Sequence, residues 1–162
     1  MASSYTTNTG LELVTTGEKA GLWGAITNTN LQILEQAATG YLGIDMAGAS
    51  VTLTLTDGAT SNGKNIYLAL TGTLAANRTL TMPATANRVW IVKDETVRGA
   101  SNRTLGVLTA SGSTTTQIPP GATVLCRSNG SETDVTILQK GYETITDANS
   151  PYTTVAGAQI LA

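Results

Sequence analysis

The chain contains no histidine and a single cysteine, Cys126. A Ser-His-Asp or Cys-His nucleophile needs an imidazole to take its proton. Most biological zinc cages use imidazole or several thiolates, and histidine is the side chain that ordinarily titrates near neutral pH. All three chemistries are therefore closed to this sequence. Paired carboxylates of the glycosidase type remain the one acid–base option. The candidates Asp94, Glu95, Glu132 and Asp134 each fall at the end of an expected strand or in a turn, where a charge faces water. Asp57-Gly58 with Asn62 offers oxygens to a cation, but lacks the dense alternation of acids that a calcium loop requires, and reads as a turn. No glycine-rich phosphate cradle follows a strand and opens a helix. Trp90 and Tyr67 have flat faces that suit stacking on sugar rings, making Trp90 a candidate surface or interface aromatic. It sits between Val89 and Ile91 in an all-apolar stretch, however, which favours the core or a subunit interface over a sugar platform. The residues point away from an enzyme, and no cofactor or metal is expected.

Polarity is carried instead by hydroxyls and amides. Charged residues make up 12% of the 162, against about 25% in an average protein, while hydrophobic residues make up 41% and phenylalanine is absent. Such a surface suits permanent packing against other chains, because hydroxyls are buried at lower cost than ammonium or carboxylate groups. Nine Lys and Arg are scattered among eleven Asp and Glu, for a net charge of −2. A nucleic-acid partner would demand a clustered positive patch, so none is expected. The amino terminus lacks a basic region followed by an apolar core, and no run reaches the roughly 18 apolar residues of a membrane span. The expectation is a protein made in a cytoplasm, with no membrane partner. Cys126 sits in the alternating run 123–127 and reads as a small buried hydrophobe; alone, it makes no intrachain disulfide.

Three stretches must position whatever this chain presents. Residues 1–40 read as an extended arm followed by a short amphipathic helix, 41–141 as a β domain, and 142–162 as an extended segment packed on its own or a neighbouring subunit. In the first, Leu11 and Leu13 suggest a strand that could add to something else. Thr15-Thr16-Gly17-Glu18 fits a capping box. From there Trp23, Ile26, Asn30, Ile33 and Ala37 recur at steps of three and four, the spacing of a coiled-coil seam, with Leu31, Leu34 and Ala38 widening the apolar face. An isolated helix of this length is marginal in water, so it must pack on its own β domain, on copies of itself, or on both. Asn30 at a seam position could set register and oligomer state, or lie at the edge of an intrachain contact. Trp23, Ile26, Asn30, Ile33, Leu34 and Ala37 are the expected docking residues, and Thr39-Gly40 closes the helix.

From residue 50 the period changes to two. Val51, Leu53 and Leu55 alternate with Thr52, Thr54 and Thr56, then Asp57-Gly58 turns, and Ile66, Leu68 and Leu70 alternate with Tyr67, Ala69 and Thr71. Further strands are expected at 79–82, 88–93, 103–109, 115–118, 123–127 and 134–139. Ser128-Asn129-Gly130-Ser131 between the last two is a hairpin signal. Short strands with turns every 8–12 residues predict a mainly-β fold, an antiparallel β-sandwich or jelly-roll-like barrel. The tetrapeptide Asn77-Arg78-Thr79-Leu80 returns as Asn102-Arg103-Thr104-Leu105. Two matches do not make a repeat family, and shared turn-to-strand chemistry accounts for them.

Gly17-Glu18, Trp23-Gly24, Thr27-Asn28-Thr29-Asn30-Leu31, Asn65-Ile66-Tyr67-Leu68, Leu70-Thr71-Gly72, Asn77-Arg78-Thr79-Leu80-Thr81 with Pro83, and Pro120-Gly121 before Ser128-Asn129-Gly130 resemble a module common in tail-fibre proteins of tailed phages. The resemblance spans residues 4–40 and 64–140. It implies a virion structural protein, commonly trimeric, such as a short tail fibre or tail appendage, whose partners are other virion proteins. Such fibres usually continue into long shafts, so a capsid decoration or cement protein is the alternative. A carbohydrate-binding module contacting a host surface glycan is a third reading.

Overall fold

Alternating apolar and hydroxyl side chains give a strand one face that leaves water and one that keeps it, and here they build two sheets around a shared core. The computed structural model describes residues 3–84, 87–99, 103–112, 114–129 and 133–139. The expected segment 142–162, Glu132, Asn102 and the Gly130-Ser131 turn lie outside them. The strands are β1 (Ser4–Tyr5), β2 (Glu12–Leu13), β3 (Tyr41–Asp45), β4 (Val51–Thr52), β5 (Tyr67–Thr71), β6 (Arg78–Met82), β7 (Asn87–Asp94), β8 (Leu105–Thr109), β9 (Thr116–Gln117), β10 (Thr123–Asn129) and β11 (Thr133–Gln139). The one helix among the described residues, α1, spans Trp23–Thr39, and a single 3₁₀ turn spans Asn62–Lys64. The fold is mainly β.

Its strands do not pair as the antiparallel sandwich or jelly roll expected from the turns. From β3 to β8 the chain alternates between two sheets, and within each sheet every strand lies parallel to its predecessor: β3, β5 and β7 in one, β4, β6 and β8 in the other. Only the additions at one end are antiparallel, with β9 on β8, β10 on β7 and β11 on β10. The sheet orders are β11-β10-β7-β5-β3 and β4-β6-β8-β9, and neither closes into a barrel. A parallel pair needs a crossover of about a dozen residues or more. Here a strand of the opposite sheet supplies it, so the chain winds as a short solenoid.

The repeated tetrapeptide belongs to this winding. Its two copies open neighbouring parallel strands: the Arg78 amide donates to the Thr104 carbonyl at 2.8 Å, and the Thr104 amide donates to the Asn77 side-chain oxygen at 3.1 Å. The ladder sets Arg78 opposite Leu105, so the copies are offset by a small slip rather than aligned. Arg78 also locks a corner, donating to the carbonyls of Met46, Ala47 and Gly48 at 2.8 to 3.1 Å.

The core takes every second residue of both sheets. Leu68 and Leu70 from β5, Trp90 and Val92 from β7, and Val124 and Cys126 from β10 meet Leu80 and Met82 from β6 and Leu105 and Val107 from β8 in one cluster. Burial raises the Cys126 thiol pKa to about 12. The thiolate is the reactive form, so iodoacetamide at pH 8 is expected to leave Cys126 unmodified in the folded protein and to label it fully once the protein is unfolded, as read by intact mass.

The arm and helix are fastened to this body. β1 and β2 pair with each other as an antiparallel hairpin, rather than adding a strand elsewhere. The Gly58 amide donates to the Gly10 carbonyl at 2.8 Å. Gly10 has φ of +64°, and a Cβ there would come within 2.7 Å of an Asp57 carboxylate oxygen and 3.2 Å of the Lys64 ammonium, so only glycine passes. Lys64 is itself fully buried, donating to the Thr56 and Ala59 carbonyls at 2.6 and 2.7 Å. Burial lowers its pKa, an effect that the Asp57 charge opposes.

Candidate functional site

Helix α1 begins without help from the expected capping box: its N-cap is Leu22, with no side-chain hydrogen bond to the first turn. It ends at Gly40, whose amide donates to the Gln36 carbonyl at 3.1 Å. A Cβ on Gly40 would fall 2.5 Å from that carbonyl and 2.6 Å from the Asn65 side-chain oxygen, so the step from helix to β3 requires glycine.

The wide apolar face of this helix divides into two lines. Ile33 is fully buried, and Ile26, Asn30 and Ala37, on the same side, are partly buried. Asn30 is occupied within its own chain: its side-chain oxygen accepts the Glu12 amide and its NH₂ donates to the Glu12 carbonyl, both at 3.0 Å. This reciprocal pair fastens the arm hairpin to the helix. Gln36 adds two contacts, its side chain accepting the Ser61 amide at 3.3 Å and its carbonyl the Ile66 amide at 3.2 Å. Of the six expected docking residues, Ile26, Asn30, Ile33 and Ala37 thus lie towards their own chain.

Trp23 and Leu34 do not. Trp23 is 53% exposed, Leu34 45% and Leu31 57%, and Thr27 and Ala38 on the same side are exposed too. Trp23, Thr27, Leu31, Leu34 and Ala38 again recur at steps of three and four, a second line beside the buried one. Leu22 is also 53% exposed, but its carbonyl accepts the Ile26 amide, which puts it one turn before Ile26 and outside this line. At about 200 Å² per large side chain, the three large residues of the line leave roughly 300 Å² of apolar surface in water. That falls in the range of about 300–600 Å² found for the largest, often functional, patch on a monomer. The line is also free of repulsion: Glu35 is the helix's one charged residue. Just beyond it, Tyr41 is 64% exposed and stacks on Tyr67 with ring centroids 5.6 Å apart.

The residues singled out for chemistry are engaged structurally. Trp90 is fully buried, and its indole N–H donates to the Gly63 carbonyl at 2.8 Å, with the Arg88 guanidinium 5.8 Å from the ring. Of the places open to Trp90 this is the core, which corrects the candidate surface or interface position. Its ring is packed in the core and has no face to offer a sugar. The Asp94 carboxylate accepts the Thr96 amide and hydroxyl at 2.9 and 2.7 Å and pairs with Arg98. Glu95 and Asp134 are exposed. No helix among the described residues is long and apolar enough to cross a membrane.

A hydrogen bond from Ser3 and one from Lys19, aided by the Lys19 charge, hold Glu12 below the ordinary carboxylate range. A carboxylate with a depressed folded pKa contributes stability above its unfolded value and loses it as pH falls through the folded value. Acidification below about pH 4 is therefore expected to loosen the arm hairpin first, with the Asn30 side-chain amide signals moving in an NMR titration while core signals stay. The contribution is small, because the pair is only partly buried and solvent still screens it.

No family model, curated protein or solved structure matches the chain. What its fold and surface define is a mainly-β protein of two mixed sheets, carrying one helix with an uncovered, nearly uncharged apolar line.

Proposed function

We propose that the chain is a bacteriophage virion structural subunit, a short tail fibre or tail-appendage module that assembles as a trimer through helix α1. The observation that carries this reading is the exposed line of Trp23, Leu31 and Leu34. A helix whose inner side is already fastened to its own chain has no internal use for a second apolar line, and the hydrophobic effect favours covering it. Copies of the same line, lacking charge, suit one another, and a threefold arrangement covers each helix with two others. The low charge of the whole chain and the resemblance of its Trp-Gly and Asn-rich helix to tail-fibre modules support the same assignment. The carbohydrate-module reading loses one of its two aromatics, since Trp90 is in the core, and the other, Tyr67, is stacked on Tyr41.

Light scattering of the purified chain over a range of concentrations tests the proposal. The expected result is a stable species of three times 16.6 kDa. A monodisperse monomer across the micromolar range overturns it.

A further inference from the structure

We propose that the cleft between Arg98, Arg103 and the Pro119-Pro120 corner binds a single sugar-acid unit, its carboxylate held by Arg103 and its ring resting on the prolines. The cleft has a volume of about 240 Å³ and is lined by Arg98, Arg103, Thr104, Gln117, Ile118, Pro119 and Pro120. That lies just under the roughly 300–1,000 Å³ of sites for drug-sized ligands, which suits one small ring rather than an extended chain.

Two observations indicate an anion. The first is Arg103. It carries the same tetrapeptide context as Arg78, whose guanidinium is consumed by three carbonyls of the neighbouring corner. Arg103 has no such corner: among the described residues it makes no hydrogen bond or ion pair, and it faces the cleft half-buried. The second is Arg98. Its Nη2 pairs with Asp94 and donates to the Ile118 carbonyl at 3.1 Å, while its Nη1 is buried without any partner. A buried donor left unpaired is costly, and a ligand pairs with it only if the Arg98 side chain shifts towards the cleft it lines. Asp94 neutralises Arg98, so the cleft holds one uncompensated positive charge, that of Arg103, and matches one carboxylate. Guanidinium and carboxylate pair through two parallel hydrogen bonds.

The rest of the lining selects the ring. Pro119, Pro120 and Ile118 form an apolar wall for the C–H face of a sugar. The Gln117 amide and the Thr104 hydroxyl, both on exposed residues at its rim, can bond ring hydroxyls. A bare inorganic anion would use the arginine and leave that wall wet.

The test is titration of the ¹⁵N-labelled protein with D-glucuronate, D-glucose and inorganic sulfate, followed by amide shifts. Saturable shifts centred on Arg98, Arg103, Thr104, Gln117 and Ile118 are expected with glucuronate and none with glucose, with affinity falling as salt is raised. Arg103→Gln, at a side chain with no structural partner, is expected to keep the spectrum and weaken glucuronate at least about tenfold, the loss of one charge-assisted contact. Absence of saturable shifts at tens of millimolar glucuronate, on the order of the weakest specific binding, overturns the proposal. So does sulfate binding as tightly as glucuronate, or undiminished binding by Arg103→Gln.

Discussion

Trp90→Ala is expected to remove most of the protein's stability. Removing a buried tryptophan side chain costs about 3–5 kcal/mol, and the Gly63 carbonyl that accepts its indole N–H at 2.8 Å is left buried and unpaired at a further cost of about 1–3 kcal/mol. Against the total of about 5–15 kcal/mol typical of a folded domain, the variant is expected to melt at least about 10 °C lower, using roughly 2–4 °C per kcal/mol for a chain of this size. The site sits where damage spreads, because Trp90 is paired across the ladder with Cys126 and lies in the strand that joins the parallel half of its sheet to the antiparallel half. Trp90→Phe separates the two terms. It retains a ring and loses the hydrogen bond, so it is expected to cost less than half as much in the same thermal scan. Equal losses for both variants would mean that the indole hydrogen bond, not the packing, dominates.

Leu31→Ser combined with Leu34→Ser is expected to change the mass of the particle and not the stability of the subunit. Both side chains are about half exposed in the single chain, and substitutions at such positions usually shift folding stability by no more than about 0.5 kcal/mol. Buried in an assembly, the exposed half of each leucine is worth about 0.8–1.5 kcal/mol. Losing two per subunit removes at least about 1.5 kcal/mol, roughly one order of magnitude in association for each subunit, and light scattering should then find the trimer dissociating to monomer at higher concentration than the unaltered chain does. Ile33→Ala is the contrasting variant. Ile33 is fully buried in its own chain, so its truncation is expected to cost about 2–5 kcal/mol of folding stability and to leave the mass of the folded fraction unchanged. A double variant joining Trp23 and Ile33 would mix the two effects. An unchanged mass for the leucine pair would move the assembly surface off the helix.

The helix line and the cleft differ in how far the sequence reveals them. Apolar spacing alone shows that the helix has more apolar surface than one contact can use. It does not say which side faces inward, because the seam through Ile26, Asn30 and Ile33 and the line through Leu31 and Leu34 are equally periodic. The choice is made by Asn30, whose amide finds the Glu12 backbone, a contact between residues far apart in the chain. The cleft has no local signature at all. Arg98 follows β7, Arg103 precedes β8, and Pro119 and Pro120 come from the corner before β10, so only the winding brings them together. The one clue in the sequence was the repeated Asn-Arg-Thr-Leu, a sign of neighbouring turns of that winding.

What the sequence determined by itself is local in origin. Two-residue alternation marked most strands and their buried face, though not β3, Gly40 marked the end of the helix, and the absence of histidine excluded chemistry that needs an imidazole. Tertiary structure decided what depends on partners distant in sequence. Alternation selects the face of a strand but is blind to its neighbour, so parallel winding and antiparallel hairpins read alike until the ladders form. Val89-Trp90-Ile91 is apolar throughout, which suits the core or a subunit interface alike, and the packed core decided between them. Nothing local in the sequence marks Lys64 for burial; the fold closes the Thr56 and Ala59 carbonyls around it, a buried ammonium is tolerated only where such acceptors converge, and that convergence is a property of the fold.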